Sequence, residues 1–150
     1  MRDPYRGLFN LSMNAAERFD QILSFLATRL PAPIEQQRAG DGTVLFTGGS
    51  PGEVVVHVTE TSVIVGEYAG EWDTPYSFAV RPRRVGLLKW RRLTEAALFG
   101  ALDQLINGAQ EMRRARYRTC RYCDESTPPE WMDTEEVCSG CSEQHTGVVH

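Results

Sequence analysis

The sequence predicts an α+β fold, with a two-layer body followed by a short cysteine-bearing appendage. Three observations carry this prediction. Two stretches with apolar residues at helical spacing flank a central region of about four short strand-like runs. Turn-forming residues punctuate those runs closely enough to favour antiparallel hairpins. All four cysteines fall in the last 31 of the 150 residues, so none can staple the rest of the fold. The expected division is a body over residues 1–116 and a small module over 117–150. A body of that size can bury a core without crosslinks.

The first helix is expected over Asn14–Leu30, with Phe19, Ile22, Leu23, Leu26 and Leu30 on one face. Asn14 and Glu17 form a cap-like pair at its start. Pro31 and Pro33 stop it, because proline cannot donate and clashes with the preceding turn. Residues 34–42 read as a polar connection. Strand signals follow at Thr43–Thr47, Glu53–Thr59, Ser62–Tyr68 and Tyr76–Val80. The run Gly48-Gly-Ser-Pro-Gly52 lacks the lysine and following helix of a phosphate loop and reads as a hairpin turn. Arg81-Pro-Arg-Arg reads as a loop. The second helix is expected from about Thr94 to Ala115, capped by Thr94, with Glu95 at its positive end. Its apolar side comprises Ala97, Leu98, Ala101, Leu102, Leu105, Ile106, Ala109 and Met112. Arg113, Arg114 and Arg116 sit at its negative end.

The cysteines form two pairs, Cys120-Arg-Tyr-Cys123 and Cys138-Ser-Gly-Cys141, fourteen residues apart. Two intervening residues let both sulfurs of a pair face one centre from a tight turn. In a reducing compartment such pairs favour metal ligation over disulfides. Four thiolates suit one structural zinc ion, with no position left open for water or substrate. Tyr122, Trp131, Met132, Val137, Val148 and Val149 are too few to form a core, so metal would supply the missing stability. Arg118 and Arg121 flank the first pair and favour the thiolate form. A redox dithiol is the rival reading, and a second CxxC so close argues against it. Ligation by His145 or His150 would require displacing a cysteine.

On these residues the tail, over 117–150 alone, resembles the zinc-ribbon class of four-cysteine modules. The resemblance implies Cys120, Cys123, Cys138 and Cys141 as ligands, each pair in a knuckle. Ribbon knuckles often carry glycine after the second cysteine; here Asp124 and Ser142 stand there. Aspartate tolerates the left-handed conformation better than most residues. The resemblance implies a metal and leaves the function open.

Charge is segregated along the chain. Residues 81–121 hold ten arginines and a lysine against three acids, while residues 122–150 hold seven acids and no lysine or arginine. The basic stretches offer candidate nucleic-acid contacts at Arg83, Arg84, Lys89, Trp90, Arg91, Arg92, Arg113 and Arg114, cations for phosphates and an aromatic for stacking. The same residues equally suit a solvated surface paired to the acidic segments. An acidic tail is a poor phosphate binder, which shifts weight toward a protein contact through Pro129, Trp131 and Met132.

His57 stands alone in an apolar strand. No Walker loop, nucleophile elbow, HExxH or dinucleotide fingerprint occurs. The first residues do not read as a signal peptide, and no apolar run is long enough to span a bilayer. The sixteen basic residues include only one lysine, a composition that suggests a bacterial or phage-like origin. The expected protein is a non-enzymatic, cytoplasmic, zinc-containing adaptor or regulator with a protein partner. A nucleic-acid-associated regulator is the alternative.

Overall fold

The computed structural model describes the backbone of residues 6–146 and the side chains of residues 15–144. Helix α1 spans Arg6–Arg29. It starts eight residues before Asn14, so the expected cap position lies inside the helix. Pro31 and Pro33 follow it, and the chain then enters β1 (Ile34–Arg38). The meander continues through β2 (Val44–Gly48), β3 (Val54–Val58) and β4 (Val63–Glu67). A two-stranded ribbon, β5 (Gly70–Thr74) and β6 (Ser77–Val80), projects next, before β7 (Arg83–Leu88) rejoins the sheet. Strand order is β1-β2-β3-β4-β7, antiparallel throughout, with a register shift between Val65 and Gly66.

Three strands fall where the sequence pointed elsewhere. β1 is Ile-Glu-Gln-Gln-Arg, four of its five residues exposed. It is an edge strand held by its ladder to β2 rather than by burial. β7 begins at Arg83 and Arg84, which the sequence reads as loop; both are exposed, and only the later residues are half-buried. β5, Gly-Glu-Trp-Asp-Thr, lacks an apolar alternation because it pairs only with β6.

The core lies between one sheet face and the two helices. Ile22, Leu26 and Leu30 of α1 meet Val44, Phe46, Val54, Val56, Val58, Val63 and Val65 of the sheet. Helix α2 (Glu95–Ala115) contributes Leu98, Leu102, Ile106 and Ala109. The alternate strand residues Leu45, His57 and Ile64 share a cross-strand row on the other face and are half-exposed, as period two requires. The expected apolar side of α2 was too broad: Met112 is 42% exposed and Ala97 faces solvent.

Two local features position the rest. The Gly48–Gly52 run is a turn, closed by Glu53 N–H to Gly48 C=O at 2.8 Å, with Gly49 at φ 100°. A Cβ on Gly52 would lie 2.3 Å from the Tyr68 ring, so only glycine allows that approach. Thr94 caps α2, its side chain accepting from Ala97 N–H at 3.2 Å. Thr94→Ala is expected to lower stability by about 1 kcal/mol. Urea denaturation would read this as a lower midpoint at unchanged slope; an unchanged midpoint would remove the cap from the account.

Candidate metal centre

The chain leaves α2 at Arg116 and forms a small hairpin, β8 (Arg118–Thr119) with β9 (Ser126–Thr127). The first cysteine pair occupies its turn. Cys120 N–H donates to Glu125 C=O at 3.0 Å, and Asp124 N–H donates to Cys120 C=O at 2.8 Å. Asp124 takes the left-handed conformation, φ 62°, that the knuckle demands after its second cysteine. The second pair is built differently. Cys138 immediately precedes α3 (Ser139–Thr146), and Cys141 lies in that helix's first turn. Ser142 is therefore helical, its N–H donating to Cys138 C=O at 2.9 Å. No left-handed residue is needed there, which explains serine in place of glycine. This half departs from the second knuckle that a ribbon would have.

The four sulfurs converge. Cys120, Cys123, Cys138 and Cys141 offer Sγ atoms that all lie within 4.8 Å of one another, and none is in a disulfide. Cys123 and Cys138 Sγ stand 3.9 Å apart. Backbone N–H groups point into the cluster: Cys138 N–H to Cys120 Sγ and Cys141 N–H to Cys138 Sγ, each at 3.4 Å. The Cys138 N–H, followed by that of Cys123, holds the Cys120 thiol down to about 6. The Cys141 thiol is pushed up to about 12, first by its hydrogen bond with Cys138 and then by burial. One thiolate thus forms readily at Cys120, and Cys141 resists following it without a cation. Four soft sulfur donors around one point suit a metal ion bound as thiolates. Arg121 pairs with Glu136 at 3.3 Å across the module. His145 and His150 lie outside the described side chains.

The fourteen-residue spacer docks on the body. Glu130 reaches Arg113 of α2, both side chains buried at 2% and 0% exposure. The pair is bidentate: Arg113 NH1 donates to Glu130 Oε2 at 2.9 Å, and NH2 donates to Oε1. Arg113 Nε donates to Gly52 C=O at 2.9 Å. Its guanidinium lies between the Tyr68 and Tyr117 rings, 5.0 and 5.2 Å from their centroids. Burial alone would lower the Arg113 pKa, but the hydrogen bonds and charge of Glu130 outweigh it and hold the value above the usual one. Beside this pair, Trp72 Nε1–H of the ribbon donates to Glu130 C=O at 3.0 Å. Trp72 meets Trp131 edge-on at 5.4 Å, and Phe78 stacks on Trp131 at 6.3 Å.

Of the residues named from sequence as nucleic-acid contacts, Trp90 and Arg113 are buried, and Arg83, Arg84, Lys89, Arg91, Arg92 and Arg114 are exposed. Trp90 is 1% exposed, packs near Phe19 and donates Nε1–H to Thr59 C=O at 2.9 Å, so its ring is core and offers no face to a base. Arg113 is interior and bound to Glu130, so it offers nothing to a phosphate. Arg114 pairs with Glu53 at 3.0 Å, Arg83 with Glu67 at 3.6 Å, and Arg91 Nε–H donates to Glu60 C=O at 2.7 Å. Arg84, Lys89 and Arg92 stay exposed. Glu67 itself is fully buried, held by Arg116 at 2.6 Å, and its Oε1 has no hydrogen-bond partner among the described residues. Of the apolar contact residues named, Trp131 is 45% exposed, Pro129 is exposed and Met132 half-buried.

Sequence reasoning missed Glu130, Trp72 and the pairing of Arg113. Nothing in the string marks Glu130 out from the six other acids of the tail. A tryptophan in the otherwise polar Gly70–Thr74 segment was the one available signal.

Fold and site together define an α+β protein whose C-terminal four-cysteine module is folded against its body. No family model, curated protein or solved structure matches this chain. No helix among the described residues is long and apolar enough to cross a membrane.

Proposed function

We propose that this chain is a non-enzymatic adaptor in which one structural zinc ion holds a protein-binding surface in place. The zinc assignment is supported by the donor set and its dimensions. A tetrahedron of bonds of about 2.3 Å has edges of about 3.8 Å, and the Cys123–Cys138 separation is 3.9 Å. Four thiolates fill the coordination sphere, which suits a structural ion rather than a catalytic one. The hairpin carrying the first pair keeps the knuckle expected of ribbon-type modules, while the second pair sits at the start of a helix, Cys138 just before it and Cys141 in its first turn.

The observation that carries the adaptor reading is the docking of the metal module through Arg113–Glu130. Docking fixes Trp131 beside Trp72 and leaves both indoles more than two-fifths exposed. Exposed tryptophans fixed on a rigid support are the residues most often found at the energetic centre of protein interfaces. The burial of Trp90 and Arg113, and the pairing of Arg83 and Arg114 with acids, favour this reading over a nucleic-acid one.

The test is affinity capture from the native host with the zinc-loaded chain and its Trp131→Ala variant. A partner retained by the first and lost by the second, at equal zinc content, is the expected result. If every captured protein survives Trp131→Ala, this surface is not the contact.

A further inference from the structure

Between the β5–β6 ribbon and the metal module lies a cleft of about 710 Å³. Trp72, Pro75, Trp131 and Met132 supply its apolar lining, and Asp73, Asp133 and Glu143 supply charge. No lysine or arginine lines it among the described residues. Glu130 also lines it, but Arg113 engages that carboxylate. Asp133 accepts from Ser142 Oγ–H at 2.6 Å and Asp73 pairs with Arg81 at 3.0 Å, so the walls are fixed at both ends.

The two indoles stand at 77° to one another with centroids 5.4 Å apart. Trp72 is anchored through its N–H to Glu130 C=O, and Trp131 is backed by Phe78. Both rings remain 42% and 45% exposed. Two exposed indoles packed edge to face beside these carboxylates make a receptor for a cation: an indole face attracts it at close range and the carboxylates attract it from further away. Pro75 and Met132 offer apolar surface to the methylene stem behind a charged head.

We propose that this cleft receives a lysine or arginine side chain from an extended basic segment of a partner protein. The proposal rests on the adaptor reading and names the partner's chemistry. Asp124, Glu125 and Glu135, exposed in a tail with no lysine or arginine after Arg121, extend the complementarity beyond the cleft and would repel a nucleic acid. The cleft's volume exceeds what one side chain fills, which suits a peptide segment rather than a lone amine.

Fluorescence anisotropy tests it, using the zinc-loaded full chain and two labelled peptides of equal length. One alternates lysine and arginine with serine; the other carries glutamine at every basic position. The basic peptide is expected to bind at least tenfold tighter than the glutamine peptide. Trp131→Ala should weaken it about tenfold and Glu143→Gln about threefold, with zinc content unchanged. Glu143 is exposed on α3, so its variant answers the question even if the tryptophan variant loads zinc poorly. Equal binding of the two peptides overturns the proposal, as does basic-peptide affinity that neither variant alters. A host partner lost on Trp131→Ala but not displaced by excess basic peptide would sink the cation chemistry while leaving the adaptor reading standing.

Discussion

Removing the metal is expected to unfold residues 118–146 and to leave the α+β body folded but destabilised. The module's own buried cluster is Cys120, Val137 and Cys141, with Cys138 packed against it. Three of those four are cysteines of the proposed zinc site, so little apolar burial remains once the ion is gone. Structural zinc contributes about 10–16 kcal/mol of apparent binding free energy in small modules, and in such modules binding and folding are one process. The body differs: its sixteen-residue core contains no cysteine and spans both helices and the sheet.

The three tryptophans report the two regions separately. Trp90 sits in the core, while Trp72 and Trp131 sit at the junction. Chelation, or Cys141→Ser, should therefore red-shift part of the indole emission and open protease sites within 118–146. The fragment covering the two helices and the sheet should resist. A chelated chain with unchanged emission and unchanged protease resistance would mean that the four sulfurs do not hold the module together.

The second large effect concerns the Arg113–Glu130 pair. Glu130→Ala is expected to cost about 3–5 kcal/mol, because it strands a buried guanidinium between two tyrosine rings without its carboxylate. The remaining hydrogen bond, from Arg113 Nε–H to Gly52 C=O, satisfies one of five N–H donors. Removing both charges is a different matter. A buried pair replaced by apolar side chains of similar size is often neutral. The double variant Arg113→Met with Glu130→Met should therefore recover most of the loss. Urea midpoints for the two single variants and the double variant form a cycle that isolates the coupling. Additive losses would show that the two residues do not act as a pair.

Much of the fold was legible because its signals are local. Short apolar, β-branched runs bounded by turn residues gave β2, β3 and β4 to within a residue at either end. The cap and helical spacing gave α2, with Thr94 acting as expected. β1 and β7 were not legible, since an edge strand with no fully buried residue satisfies its backbone through its neighbour and needs no apolar pattern of its own. The site was half legible. Two CxxC pairs announce a shared centre, because sulfur pairs separated by two residues have few other uses in close succession. That the second pair rides on a helix was not announced, although Ser142 in place of glycine was a hint.

The string alone therefore determined the fold class, the turn positions and the cluster of four cysteines, all of which depend on residues close together in sequence. Only the tertiary structure decided what the arginines and tryptophans do. A basic run reads alike whether it faces phosphate or a distant acid; here Arg113 meets Glu130 seventeen residues on, and Trp90 meets Thr59 thirty-one residues back. Charge and aromaticity belong to the residue, but its partner is chosen by how the chain returns on itself. That choice took Trp90 and Arg113 out of the candidate nucleic-acid surface and set Trp72 against Trp131 at the edge of an acidic cleft.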